Sequence, residues 1–456
     1  MQTSVCDISD VVEQQKIGRF AVSLVACIWF VMLIEGYDLA ALAYAAPALS
    51  KAWHLGRGAL GPAFGANVPG IMIGSFLFGY LGDRFGRKPT IILGALVFGT
   101  MTLATIWAPG VEGLIALRLL AGIGLGGAIP NAVVLLSESA PRRLRATWIS
   151  LSYTGYMMGA GLGGVVSAGL VHRFGWHVVF FIGGVAPLVI AVGLALLLPE
   201  SLRHLVVKER EPRRIAHIAK QIQPDLDVDE TTRFIVSDEF KPVRFSVRLL
   251  FGGRLRYVTP VLWLTYIANS MTLLFLQNWL PMLIESIGVR PGQAALVAAM
   301  FSVGGAAGGL ALMRFIDDRG PGVITCLPVI GIPFVALLGV PMPESTLIFA
   351  VFGVGFCVVG TQFGLNAVSA MVYPTAFRSK GTGAALAIAK IGSFLGPVIG
   401  GMLLAANVPV AQLFYVAAVP VLIVAVLAAT LGWLYRDRSK QADFAKFSDD
   451  IQTIRH

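Results

Sequence analysis

The chain has 456 residues, of which 56% are hydrophobic and 13% charged, with a formal net charge of +10. Soluble domains carry about 25% charged residues, so this composition excludes a water-exposed surface over most of the chain. Its four cysteines, Cys6, Cys27, Cys326 and Cys357, show no paired spacing, so neither a disulfide framework nor a metal site is expected.

Residues 1–19 contain Asp7, Asp10 and Glu13 and lack the basic start and small-residue cleavage site of a signal peptide. The first apolar run is therefore expected to be retained. Apolar runs near the roughly 20-residue length that crosses a bilayer predict twelve spans, at about 20–46, 59–82, 89–107, 113–136, 146–170, 178–198, 258–284, 292–314, 322–341, 346–371, 381–405 and 410–435. The expected fold class is an all-α membrane protein of two pseudo-symmetric six-helix bundles. Residues 1–198 form the first bundle, 199–256 a polar cytoplasmic connector, and 257–456 the second bundle and tail. Within the connector, Phe245 to Tyr257 mixes apolar residues with Arg248, Arg254 and Arg256, which suits a helix lying on the membrane surface.

Basic residues set the orientation. With the N-terminus in the cytoplasm, Lys51, Arg57, Arg173 and Arg290 fall outside and Arg118 and Lys390 fall within spans; every other Lys and Arg is cytoplasmic. Both termini are therefore expected in the cytoplasm. The positive charge is read as this orientation signal, and no nucleic-acid partner is expected.

The two halves repeat one another. Asp83-Arg84 recurs as Asp318-Arg319 and Asn131-Ala-Val as Asn366-Ala-Val, 235 residues later; Pro141 and Arg145 recur as Pro374 and Arg378, and Gly159 and Gly163 as Gly392 and Gly396, 233 later. Four blocks in order, with a two-residue slip in offset, are the trace of a duplicated unit. Duplicated helical halves favour a substrate cavity on the axis between them and alternating access by rocking.

Between the second and third spans lies Gly79-Tyr-Leu-Gly-Asp83-Arg84-Phe-Gly86-Arg87-Lys88. Its glycines permit a tight turn, and its cations fit a positive-inside loop. The full spacing resembles the signature loop of the major facilitator superfamily, and Arg118-Leu-Leu-Ala-Gly122-Ile-Gly124 resembles that superfamily's fourth-helix motif. Glu35-Gly-Tyr37-Asp38 in the first span, Gln277-Asn278-Trp279-Leu-Pro in the seventh, Asn366 before Tyr373-Pro374, and Lys390-Ile-Gly-Ser-Phe-Leu-Gly396-Pro397 narrow the resemblance to the aromatic acid:proton symporter family. That family usually has Asp at the position of Glu35 and Gly-Arg at Ala389-Lys390. The resemblance implies a multi-pass carrier of the bacterial inner membrane that imports benzoate-like, hydroxylated or chlorinated aromatic acids with protons. It is expected to work as a monomer and without a cofactor.

Four ionisable residues fall deep within spans: Glu35, Asp38, Arg118 and Lys390. Each costs about 2.5–3.5 kcal/mol on insertion scales, so each is a functional candidate. Glu35 and Asp38, three residues apart on one helix face, are the candidate proton-coupling pair, since neighbouring carboxylates raise one another's proton affinity. A structural pairing with a cation is the alternative. At about 1.5 Å per residue, Asp38 and Arg118 lie at similar depths, so Arg118 either pairs with Asp38 or contacts substrate. Lys390, mid-span, is the candidate partner of a substrate carboxylate, with Glu35 as its alternative partner. Tyr37, Phe275 and Trp279 are candidate walls for an aromatic ring; Asn131, Gln277, Asn278 and Asn366 are available to ring hydroxyls. For Asn131 and Asn366, interhelical hydrogen bonding is the alternative. Gly79, Asp83, Arg84, Gly86, Arg87 and Lys88, with Asp318 and Arg319, form the candidate gating motif. Glycines at four-residue steps, from Gly155 to Gly163 and from Gly392 to Gly400, predict close helix crossings. A proton symporter for a non-aromatic acid or sugar, an efflux antiporter and a membrane sensor are the competing functions. No phosphate-cradling loop or nucleophile triad points to an enzyme.

Overall fold

The computed structural model describes residues 5–208, 211–226, 228–229, 232–236, 246–319, 321–374 and 377–436. Among the described residues eleven helices are long and apolar enough to cross a membrane. In chain order these are Arg19–Ala52, Gly61–Phe85, Arg87–Trp107, Val111–Ser139, Arg142–Phe174, His177–Leu197, Leu255–Ser286, Pro291–Leu312, Glu344–Val372, Lys380–Ala405 and Val410–Leu434. They correspond to the predicted spans except the ninth. There a 3-10 turn, Pro321–Thr325, leads into a short helix, Cys326–Leu337. The predicted run to residue 341 is apolar, but Pro341 and Pro343 cannot donate the backbone bonds that would carry the helix further. Apolarity extends the run beyond the helix, so the sequence overstates its length.

Two compact units form. The first holds spans one to six together with Asn278–Ala299, so the end of the seventh span and the start of the eighth group with the first half. In this unit Lys51 at the end of the first span forms an ion pair with Glu285. The second unit holds the rest of the seventh and eighth spans and everything described after them.

Lipid supplies no hydrophobic drive between helices, so the spans gain contact by close approach of backbones at small residues. The same crossings occur in both units. In the first, Gly70 and Gly74 of the second span lie against the backbone of Leu119 and Ile123 in the fourth, and Gly159 of the fifth lies against Leu33 of the first. In the second, Gly304 and Gly308 of the eighth span lie against Phe352 and Phe356 of the tenth, and Gly392 of the eleventh lies against Ile267 of the seventh. Gly70 and Gly74 correspond to Gly304 and Gly308 at an offset of 234, and Gly159 to Gly392 at 233, within one residue of the offsets seen in the sequence, so the repeat is one of packing as well as of residues. At Gly159 a methyl group would overlap the Leu33 carbonyl oxygen, whereas at Gly161 it would meet open space. Gly159→Ala is therefore expected to lower stability by about 1–3 kcal/mol, the cost of overpacking, and Gly161→Ala to leave it unchanged. Thermal unfolding of the purified variants in one detergent checks both.

The predicted connector is not a plain linker. Leu202–Val207, Pro212–Ile222 and the strand Arg233–Ile235 fold with the N-terminal strand Val5–Asp7 and helix Ile8–Glu13. The strands pair in parallel, Cys6 opposite Phe234. Ile8, Val11, Leu202, Leu205, Ile215, Ile218 and Ile222 make the core of this cap. Two of its helices start with side-chain caps: Asp7 accepts from the Ser9 amide, and Ser201 Oγ from the His204 amide. The predicted surface helix is replaced by a 3-10 turn, Val247–Phe251, and the seventh span already begins at Leu255; Phe245 lies outside the described residues.

Candidate functional site

In the first unit, one polar cluster sits wholly inside the helix bundle. Asp38 on the first span accepts hydrogen bonds at Oδ1 from Arg118 Nη1 (3.0 Å) and Thr102 Oγ1 (2.9 Å). Arg118 Nη2 donates to the hydroxyls of Thr102 (3.0 Å) and Thr105 (3.1 Å), and its guanidinium lies 5.3 Å from the Phe180 ring centroid. The side chains of Asp38 and Arg118 are 0% and 1% exposed. Burying two ions costs several kcal/mol each unless geometry and further hydrogen bonds compensate. Here the two threonines and the ring supply that compensation. One acceptor remains open, because Asp38 Oδ2 has no hydrogen-bond partner among the described residues. A carboxylate oxygen so placed can take a proton without displacing an existing donor.

The fan of donors from Arg118 needs a planar fork that an ammonium does not have. Arg118→Lys is therefore expected to lose part of this hydrogen-bond network and to lower stability even though charge is kept, as checked by thermal unfolding of the purified variant.

Glu35 is half-buried and lies close enough to Tyr153 on the fifth span to interact with it electrostatically. The two carboxylates thus have separate surroundings: Asp38 sits among the third, fourth and sixth spans, and Glu35 faces the fifth. Asp38 is fully enclosed, whereas Glu35 is half-buried.

The signature loop turns at Gly86, whose φ of 114° suits glycine. Glu200, at the end of the sixth span, accepts from the backbone amides of Arg87 (2.8 Å) and Lys88 (3.2 Å), so it caps the third span. Arg87 pairs with Asp83 (2.7 Å) and Glu138 (3.7 Å) and donates to Asn131 Oδ1 (3.2 Å). Arg84 donates to the Tyr80 hydroxyl and Lys88 to the Ala195 carbonyl. Gly79, expected in the turn, instead lies inside the second span with open space at its Cα. Gly82 is the glycine that close packing requires, since a methyl there would overlap Asn131. The side chains of Asp318 and Arg319 lie outside the described residues.

In the second unit a polar seam joins the seventh and tenth spans. Tyr266 donates to Asn366 Oδ1 (2.9 Å), and Asn269 Nδ2 to Gln362 Oε1 (2.9 Å) and the Val358 carbonyl (3.3 Å). Lys390 is half-buried in the eleventh span. Phe275 lines a cavity of about 580 Å³ walled by the seventh, eleventh and twelfth spans. Thr272 is the one polar side chain of that wall, so a carboxylate there would meet no cation.

The major facilitator superfamily model matches residues 28–368 and again 262–455. The chain belongs to the major facilitator superfamily. Its relatives include a gallate transporter of Pseudomonas putida, 33% identical over 91% of this chain and 92% of the relative. The 4-hydroxybenzoate transporter PcaK of Pseudomonas aeruginosa is 34% identical over 87% of this chain and 89% of its own. Among solved structures, the xylose transporter XylE from E. coli superposes with a TM-score of 0.68 at 18% identity, covering 91% of this chain and 98% of that one; it shows the shared fold. The gallate and 4-hydroxybenzoate relatives are transporters of aromatic acids, and this superfamily member is a multi-pass membrane transporter rather than an enzyme.

Placed in the fold, several expected ring-wall and hydroxyl residues have protein partners. Tyr37 is buried and donates to the Val179 carbonyl (3.1 Å), so it packs the first span on the sixth. Trp279 is fully buried with its ring 4.9 Å from Phe64, edge to face. Asn131 donates to the Phe78 and Gly127 carbonyls and accepts from Arg87, leaving it an interhelical tie. Asn366 is likewise bonded to Tyr266, Asn278 is buried, and Gln277 remains half-buried. The reading from sequence passed over Thr102 and Thr105, whose i, i+3 spacing in an apolar span put two hydroxyls on one face. It also passed over Glu200, Glu138, Asn269 and Gln362.

Proposed function

We propose that this chain is a proton-coupled symporter that imports an aromatic carboxylate across a bacterial inner membrane by alternating access, with both termini in the cytoplasm. The observation that carries the reading is the enclosed Asp38–Arg118 pair with its open carboxylate oxygen. The gallate and 4-hydroxybenzoate relatives supply the substrate class.

Coupling follows from electrostatics. A proton added at Asp38 Oδ2 removes the charge that Arg118 balances, and the guanidinium then favours a second anion, which the substrate carboxylate provides. Lys390 is the proposed second anchor for that carboxylate. Half-buried Gln277, with Gln362 and Asn366, are the proposed partners of ring hydroxyls. Entry of an anion against a negative interior costs about 2.3 kcal/mol per charge per 100 mV. One proton carried with it cancels that cost and leaves the pH gradient as the driving force.

Uptake of a labelled panel tests the substrate class: gallate, 4-hydroxybenzoate, benzoate, an aliphatic acid and xylose, each with and without a proton uncoupler. Accumulation of the hydroxylated benzoates that collapses with uncoupler is expected. Equal uptake of the aliphatic acid or the sugar would overturn the aromatic reading.

A further inference from the structure

A recess of about 410 Å³ lies in the first unit where the start of the first span, the start of the third, the end of the sixth and the cap helix Pro212–Ile222 converge. Its walls carry Arg19, Lys88, Arg214 and His217. Two carboxylates are nearby. Glu200 lies in the wall, but its charge is committed to the amides of Arg87, Lys88 and Ser201. Glu211 pairs with Arg214 at 3.3 Å while remaining more than half exposed, a contact that water weakens. The recess therefore presents a net positive surface. It also has an apolar side, because Leu196 and Leu197, at the end of the sixth span, are 79% and 64% exposed. At the end of a membrane span, large side chains so exposed stand against lipid.

Cations and exposed leucines in one recess at the end of three spans match a molecule with an anionic head and an apolar tail. A soluble anion would use the cations and leave the leucines without a role. We infer that this recess binds the phosphate headgroup of an anionic phospholipid, with Arg19, Lys88 and Arg214 around the phosphate and the Leu196–Leu197 wall beside an acyl chain. The cap contributes Arg214, so the lipid would tie the cap to the spans beneath it. This site is separate from the Asp38–Arg118 cluster and does not depend on the proposed transport reaction.

Native mass spectrometry of the full-length protein, titrated in neutral detergent with phosphatidylglycerol against phosphatidylcholine, tests it. Wild type is expected to retain one phosphatidylglycerol in preference to phosphatidylcholine. Near a surface each cation contributes about a fivefold preference, so Arg19→Gln with Arg214→Gln should reduce it about 25-fold. The charge-keeping pair Arg19→Lys and Arg214→Lys should retain most of it, and Arg203→Gln, on the cap but outside the recess, should change nothing. An absent preference in wild type would overturn the proposal, as would an equal loss in Arg203→Gln. Should the double glutamine variant fail to fold, competition on wild type decides: displacement of the lipid by excess inorganic phosphate identifies a free-anion site and overturns the lipid assignment, whereas retention supports it.

Discussion

Asp38→Asn is expected to abolish accumulation of an aromatic acid driven by a proton gradient while leaving substrate exchange between equal concentrations measurable. Asparagine keeps the shape of the side chain and an acceptor for Arg118 and Thr102, which now bond Oδ1 at 3.0 and 2.9 Å. It removes the open acceptor at Oδ2 that is proposed to take the proton. The substitution also leaves Arg118, 1% exposed, without a counter-charge. Breaking a buried pair from one side costs about 3–5 kcal/mol, so the yield of folded protein must be measured beside transport. Asp38→Glu keeps the charge and the proton site and should restore part of the accumulation. Proton-driven accumulation at the wild-type level by Asp38→Asn would reject the proton role.

Lys390→Ala is expected to weaken binding of 4-hydroxybenzoate about 10- to 100-fold, while a neutral analogue with an amide in place of the carboxylate loses little. A charge-assisted hydrogen bond contributes about 1.5–3 kcal/mol, a factor that this range converts into affinity. The comparison between acid and amide matters because Lys390 is half-buried in the eleventh span, and a packing defect would weaken both ligands alike. Titration calorimetry on the purified variant reads the two affinities. Equal affinity of wild type and Lys390→Ala for the acid would reject the anchoring role.

The membrane class, the repeat and the depth of the buried charges were all legible in the sequence, because each rests on composition or on spacing along a helix of fixed rise. The meeting of Asp38 with Arg118 came within reach in this way: two spans of opposite direction, with the two charges at similar depth. The orientation of Tyr37, Trp279 and Asn131 was not legible. Helices apolar on every side have no polar stripe to fix their rotation, so Tyr37, next to Asp38 in sequence, could not be assigned to the sixth span. The cap was hidden for another reason. Its two strands have three residues each and join segments more than 200 residues apart, Val5–Asp7 and Arg233–Ile235; local patterns carry no trace of such a pairing. Gly79 and Gly82 show how a motif can name the right segment and the wrong residue. The turn belongs to Gly86, and the tight packing to Gly82, where Asn131 approaches.

Three glycine contacts are repeated between the halves, but the buried polar chemistry of the two halves differs. In the first unit the cluster Asp38, Thr102, Thr105 and Arg118 is fully buried. The second unit carries instead the uncharged seam of Tyr266, Asn269, Gln362 and Asn366. Proton handling in the first half and recognition of ring hydroxyls in the second would fit this chemistry.

The most direct measurement is of the proton itself. Wild-type protein is placed in sealed liposomes holding a pH-sensitive dye, with no initial pH gradient, and 4-hydroxybenzoate is added outside. The account predicts acidification of the lumen well beyond that of protein-free liposomes, and its loss in Asp38→Asn. Substrate entry through wild type with no acidification above the protein-free control would contradict it.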